Sequence, residues 1–217
     1  EYGTNALFVS GGNVGVGTTS PIEKLQVEGK VYIQGSGQNW NETTPGLTRG
    51  SVHFDPGTDV ANTGNALTFG ASDTPGSPNE GCNAQAGIYT RSDGSYGTKM
   101  YFATTDAYAS GSKTAMMLDY TGNVGIGTTS PSSRLHIKAG SSDYDGGLLL
   151  EDNSDGKASL LTQEAGKLFI GYAASAASPN SASTIMVLEN AGNVGIGTTS
   201  PGQKLDVAGN IAFGDSH

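Results

Sequence analysis

Short runs of branched aliphatic residues alternate with glycine at three places in the chain. The runs lie within the decapeptide GNVGIGTTSP at 122–131 and 192–201, and within GNVGVGTTSP at 12–21. In each copy one face of the alternation carries β-branched side chains and the other carries only glycine, and this two-residue period predicts a β-strand. A face without side chains also allows another backbone to come close.

The segments on either side extend each copy into a longer unit, which we call a clamp unit. An apolar segment precedes each copy, and the Gly-Asn between them tolerates the positive φ of a tight hairpin turn. Ser20 and Pro21, with Glu23 three residues after Ser20, have the spacing of a helix N-cap with a capping box. Strand alternation resumes at once at 25–27, so the helical piece can be only about one turn. Each clamp unit is predicted as strand, turn, strand, single helical turn and strand.

The segments between the clamp units resemble each other. KMYFATTDAYASGSKTAMMLDYTG (99–122) parallels KLFIGYAASAASPNSASTIMVLENAG (167–192), and both are predicted as strand, small-residue loop, strand and turn. The decapeptides stand at unequal distances, which excludes a solenoid with a constant rung. The predicted organisation is a first clamp unit at 1–35 that is truncated at its N-terminus, a β-structured insert with candidate receptor contacts at 36–115, a second clamp unit at 116–140, a second β insert at 141–185, and a third clamp unit with the C-terminal end at 186–217.

Large apolar residues are scarce. Leu, Ile, Val and Phe make up 40 of 217 residues, about 18%, below the roughly 20% under which a charged chain tends to be disordered. A decapeptide written three times nevertheless indicates an ordered element, so we expect each chain to be folded but incomplete and to complete its core by self-association. Three chains meeting at an axis would bury the candidate trimer-core residues, which are Val14, Val16, Val124, Ile126, Val194 and Ile196.

Charge and cysteine content exclude several classes of partner. Acidic residues outnumber basic ones by 20 to 11, and no basic cluster interrupts them, so nucleic acid is not an expected partner. Cys82 stands alone, which excludes an internal disulfide and favours a small buried apolar residue. No apolar run approaches the length of a membrane span, so we expect no membrane insertion.

The repeat also resembles a known family. The pattern GNVGIGTTSPxxKLxVxGN and the segment AGIYTRSDGSYGTKMYFATTDAYASGSKTAMMLD at 86–119 are similar to sequences in bacteriophage tail fibres and tail spikes. In that family the motif often precedes a C-terminal intramolecular chaperone domain, which trimerises the fibre and then cleaves itself off. The resemblance implies a parallel homotrimer rich in β-strand, with loops or small domains between the clamp units that contact host surface glycans. Only NIAFGDSH follows the last unit, which fits either self-cleavage nearby or the boundary of an excised fragment.

Candidate cofactor and metal motifs are incomplete. The glycine-rich GNVGVGTT lacks both the Gly-Lys-Ser/Thr of a Walker loop and a real helix after a dinucleotide fingerprint, so no cofactor is predicted. His53, His136 and His217 share no short metal-type spacing. The segment EDNSDGK at 151–157 begins like a calcium loop, but Thr162 stands where that loop needs Glu, so an acidic turn is favoured. We predict no metal site.

Catalytic constellations are not visible either. A serine hydrolase needs a positioned His and an acid, and a glycan-degrading spike needs two carboxylates facing each other across a groove. The clustered Asp143, Asp145, Asp152 and Asp155 lie among Gly and Ser, which is typical of turns. We therefore predict that the chain is not an enzyme and that its catalytic residues are none.

Three aromatic residues give the binding hypothesis. Trp40, Tyr96 and Tyr108 lie in polar segments rather than in strand alternation. Sugar rings stack on exposed aromatic faces beside amide and carboxylate groups, so these three are glycan-contact candidates, although loop aromatics also pin loops down.

The predicted fold is all-β: an elongated homotrimeric fibre of short β-hairpin clamp units with β-structured inserts. The predicted function is that of a structural and receptor-binding segment of a phage-type tail fibre, which mediates adsorption to a host polysaccharide or lipopolysaccharide. Its other partners would be tail fibre or baseplate proteins, and its location the virion, made in the host cytoplasm and extracellular once assembled. The alternatives are a glycan-degrading tail spike fragment and a bacterial trimeric surface adhesin.

Overall fold

The fold is built from strands in three separate sheets. The computed structural model describes residues 7–34, 43, 52–56, 60–70, 84–95, 97–106, 111–138, 147–151, 157–173, 183–212 and 214. Within these ranges there are fifteen β-strands and no helix, and most neighbouring strands are antiparallel. The predicted all-β class is confirmed.

The chain divides into two units, Glu1–Asp55 and Pro56–His217. The first contains a three-stranded sheet of the first clamp unit, in the order β1-β2-β3. Its strands are β1 (Phe8–Ser10), β2 (Asn13–Val16) and β3 (Leu25–Val27).

The second unit contains two six-stranded sheets, each with its strands in sequence order. The first of them, which we call the middle sheet, consists of β4 (Ala66–Phe69), β5 (Ala86–Ser92), β6 (Thr98–Thr104), β7 (Lys113–Leu118), β8 (Val124–Ile126) and β9 (Leu135–Ile137). The other, the C-terminal sheet, consists of β10 (Leu148–Glu151), β11 (Ala158–Glu164), β12 (Lys167–Ala173), β13 (Ser183–Glu189), β14 (Val194–Ile196) and β15 (Leu205–Val207).

The two six-stranded sheets are copies of one design. Each has four antiparallel pairs followed by a final parallel pair. The register shifts at the same place in both, between Phe102 and Ala103 in β6 and between Ile170 and Gly171 in β12. The predicted likeness of 99–122 to 167–192 is therefore confirmed. The sheets run without interruption from insert into clamp unit, because β7 spans the predicted boundary at 115 and 116, and β13 spans that at 185 and 186.

The Gly-Asn hairpins form as predicted, with positive φ at the glycine. In the second and third clamp units the loop closes on Gly122 (φ 81°) and Gly192 (φ 76°), whose N–H groups donate to Asp119 O and Glu189 O. The first hairpin is tighter, a two-residue turn at 11–12 between Ser10 and Asn13. Glycine supplies the left-handed backbone that these turns need.

The predicted single helical turn is wrong. Residues 22–24 form a bend, and the strand after it pairs parallel to the strand before it, with Val14 opposite Leu25 and Val16 opposite Val27. The N–H of Ile22 donates to Oε1 of Gln26 at 2.9 Å. A side chain from the next strand thus satisfies a donor that the capping spacing had assigned to a helix, and the segment forms a bend instead of a helical turn.

The glycine face of the repeat does admit another backbone, but that backbone belongs to the same chain. Gly125 and Gly195 are buried, and a Cβ at either position would lie 2.5 Å from Thr128 O and 2.6 Å from Thr198 O. The Thr-Thr-Ser-Pro loop of each clamp unit therefore folds back over its own strand. Beside these glycines lie Met117 and Val187, which are completely buried.

Candidate self-association surface

The apolar residues of the middle sheet form a continuous line on one face. Residues directly opposite each other in neighbouring strands face the same side of a sheet. One such set of partners crosses all six strands and contains only large apolar side chains: Leu67, Ile88, Phe102, Met116, Ile126 and Ile137. We call this line, together with its counterpart in the C-terminal sheet, the apolar row.

The C-terminal sheet repeats the same line at equivalent positions. Its six members are Leu148, Leu161, Ile170, Met186, Ile196 and Val207. A one-residue slip of any strand would move its member to the opposite face. The same uninterrupted row occurs in both six-stranded sheets. We therefore infer that the sequence keeps this face of each sheet apolar.

The clamp units supply a second line on the same face. In the middle sheet it joins Leu118, Val124 and Leu135, and in the C-terminal sheet it joins Leu188, Val194 and Leu205. The first clamp unit has the same arrangement in its own sheet, where Val9, Val14 and Leu25 are partners and Val16 lies opposite Val27.

Each of the six candidate trimer-core residues lies on the apolar face of its own sheet. Val14 and Val16 belong to the first sheet, Val124 and Ile126 to the middle sheet, and Val194 and Ile196 to the C-terminal sheet. Ile126 and Ile196 are each 41% exposed, whereas Met117 and Val187 on the opposite face are fully buried. The folded chain therefore shields the glycine side of each clamp unit and leaves the β-branched side open.

Hydrogen bonds from side chains fix the shape of each clamp unit. Nδ2 of Asn13 donates to Pro21 O at 3.1 Å, and Asn193 reaches Pro201 O at 3.5 Å. The cation before the last strand bonds to the hairpin turn, since Lys204 Nζ donates to Ala191 O at 2.7 Å and Arg134 Nη1 to Thr121 O at 2.8 Å. In the second clamp unit Asn123 Nδ2 instead donates to Oδ2 of Asp119 at 3.1 Å, so the copies share their strand pairing but not every side-chain hydrogen bond.

The shorter of the two described ion pairs lies on the face of the C-terminal sheet opposite the apolar row. Lys167 Nζ is 2.7 Å from Oε1 of Glu189 and also donates to Thr199 O at 3.0 Å. The Lys167 ammonium holds the pKa of the Glu189 carboxyl below its ordinary value. The pKa of Asp119, the equivalent acid of the middle sheet, is also lowered, because hydrogen bonds from Asn123 and Thr121 outweigh the opposing desolvation. Both carboxylates stabilise the hairpin that leads into the clamp unit.

The sequence missed half of this surface. Members such as Ile88, Phe102, Leu161 and Ile170 come from the inserts, and they were not predicted to share a face with the clamp units. The alternation of apolar residues along these strands was a visible signal. It does not show, however, which residues of one strand lie beside which residues of the next, because that depends on how the strands pair. The glycan-contact candidates Trp40, Tyr96 and Tyr108 lie outside the described residues.

Neither a metal centre nor a membrane span was found in the described ranges. No three His, Cys, Asp or Glu side chains there lie together as a metal site would require. Across the same ranges no helix has the length and apolar character needed to cross a bilayer. No protein-family model matches the chain, and no curated protein matches it.

Proposed function

We propose that this chain is a structural and receptor-binding segment of a phage-type tail fibre, which self-associates as a homotrimer and mediates adsorption to the host cell surface. The observation that carries the proposal is the apolar row. Contiguous apolar side chains left open on a folded chain mark an interaction surface, and here they recur on every sheet. The resemblance of the repeat to tail fibres supplies the class of assembly and the number three.

Self-association would complete the core that a single chain lacks. Among the described residues only seven apolar side chains are buried, and these are Ala103, Met117, Ala158, Leu160, Phe169, Val187 and Pro201. Covering a side chain such as Ile126 or Ile196 with a second chain contributes on the order of 1.5–3 kcal/mol for a fully exposed residue, and less for one already partly covered. Two six-stranded sheets with twelve such residues make the summed contribution large enough to hold an assembly.

In this proposal the chain has no catalytic role. It would be made in the host cytoplasm, join other tail fibre or baseplate proteins in the virion, and contact polysaccharide or lipopolysaccharide of the host.

The mass in solution tests the assembly. Sedimentation equilibrium of the full chain at micromolar concentration should give three times 22.0 kDa, about 66 kDa, because only the assembled form covers the apolar row. A stable 22.0 kDa monomer would overturn the proposal. A release assay on host polysaccharide checks the catalytic role, and new reducing ends formed by the pure protein would favour the spike alternative.

A further inference from the structure

A groove lies on the face of the middle sheet that is opposite the apolar row. Its volume is about 740 Å³, and its lining includes Asn62, Asn65, Tyr89, Arg91, Lys99 and Tyr101. Tyr89 lies directly opposite Tyr101 in strands β5 and β6, and Arg91 lies directly opposite Lys99. Two aromatic rings and two cations thus stand side by side at one end of the sheet.

Neighbouring groups hold the first aromatic ring and the first cation in place. The ring of Tyr89 lies over Gly87, where a Cβ would be 2.7 Å from Cε2, and its hydroxyl is 2.7 Å from Oγ of Ser112. Arg91 Nη2 donates to Oδ1 of Asn62 at 2.8 Å. The guanidinium is therefore positioned by a neutral amide, and none of the ion pairs described for this chain includes it.

The cation pair is unfavourable for the fold alone. Like charges directly opposite each other on two strands destabilise a sheet, yet this chain of net charge -9 places two of its 11 basic residues in that arrangement. The nearest acids in sequence and register are occupied elsewhere, since Asp93 accepts from Ser95 N and Gly97 N, and Asp119 accepts from its own turn. Among the described residues neither Arg91 nor Lys99 forms an ion pair.

The equivalent positions of the C-terminal sheet carry different residues. Register places Thr162 and Phe169 where the middle sheet has Tyr89 and Tyr101, and both are buried. Glu164 lies opposite Lys167 at the positions of Arg91 and Lys99, and Lys167 is paired with Glu189. The same scaffold is thus neutral and closed in one sheet, and cationic, aromatic and open in the other.

We propose that the groove of the middle sheet binds an acidic saccharide, an inference that rests on the proposed receptor-binding function and names its ligand class. A sugar ring stacks on the faces of Tyr89 and Tyr101, and its anionic substituent is held by Arg91 and Lys99. Asn65 also lines the groove. The shared chemistry is a hexose that carries a carboxylate or a phosphate.

The test uses the full chain on an array of carboxylated, phosphorylated and neutral oligosaccharides of matched length, with a single-stranded oligonucleotide as a further probe. The variant Arg91→Gln/Lys99→Gln removes both cations from the groove. Its control, Lys30→Gln/Lys138→Gln, removes two exposed cations elsewhere. Because the groove variant relieves repulsion, its melting temperature should equal or exceed that of the wild type.

The wild type and the control should bind acidic members at least tenfold more tightly than neutral ones, and the groove variant should lose that preference. The array arm that responds, carboxylated or phosphorylated, identifies the anionic group. Binding of neutral glycans alone, acidic binding unchanged in the groove variant, equal binding of the oligonucleotide, or no glycan binding at millimolar concentration overturns the inference. The mass of the same samples is read in parallel, so a trimer that binds only neutral glycans rejects the groove and leaves the proposed function standing.

Discussion

Gly195 lies directly opposite Val187 in strands β14 and β13, and the valine side chain fills the space that a Cβ at position 195 would need. The distance from that position to Cγ1 of Val187 would be 2.8 Å, and the carbonyl of Thr198 stands 2.6 Å away on another side. A buried branched side chain and a returning loop thus meet over one glycine. This relationship packs the first two strands of the third clamp unit against each other and against its loop.

Gly195→Ala should therefore destabilise the C-terminal sheet by about 1–3 kcal/mol, because neither Val187 nor the loop backbone can move away without loss of packing. Chemical denaturation followed by circular dichroism measures the change. Gly70→Ala is the matched control, since no atom lies within 4 Å of its Cβ position. Equal midpoints for the two variants would contradict the close approach.

Asp206 should stabilise the clamp unit as an acceptor. Its Oδ2 accepts from Gly202 N at 2.9 Å, in the same way that Gln26 serves Ile22. Asp206→Ala should lower the free energy of unfolding by about 1 kcal/mol, whereas Asp206→Asn, which keeps a carbonyl oxygen, should lose much less. Thermal melts of both variants at pH 7 make the comparison, and equal losses would show that the negative charge matters and the hydrogen bond does not.

Glutamate replacement on the apolar row should prevent assembly. Ile126→Glu/Ile196→Glu places a charge on each six-stranded sheet at side chains that we expect a second chain to cover, and desolvating those charges opposes association. Sedimentation equilibrium should show a monomer. Ile22→Glu/Ile211→Glu, with two exposed residues outside the row, should assemble like the wild type. An unchanged mass for the row variant would show that assembly uses another surface.

Acid should weaken the hairpin at Glu189. The pKa of this carboxyl is lowered from 4.5 in the folded chain, so the unfolded state binds more protons as pH falls through that range. The contribution of the Lys167 pair is therefore fully present above about pH 4.5 and is lost as pH falls through the folded pKa. Melting temperatures from pH 7 to pH 3 should fall less for Glu189→Gln than for the wild type. Parallel curves for the two proteins would exclude this carboxyl as a source of the acid sensitivity.

Local features of the fold could be predicted from the sequence wherever they depend on a few adjacent residues. The alternation at 124–126 predicted a strand, and Gly122 predicted a hairpin turn, because period and backbone freedom are properties of neighbouring positions. The capping prediction at Ser20 failed for the opposite reason. Its outcome depended on Gln26, whose side chain reaches back only once its strand has paired.

The sequence by itself determined the strands, the hairpins and the scarcity of core residues. Only the tertiary structure decided that 25–27 runs parallel to 13–16, that the glycine face is covered by its own loop, and that residues from inserts and clamp units form one apolar row. Tyr89 and Tyr101 likewise meet only through pairing. The physical reason is register: alternation assigns each side chain to one of two faces, but hydrogen bonding between strands distant in sequence decides which side chains become neighbours.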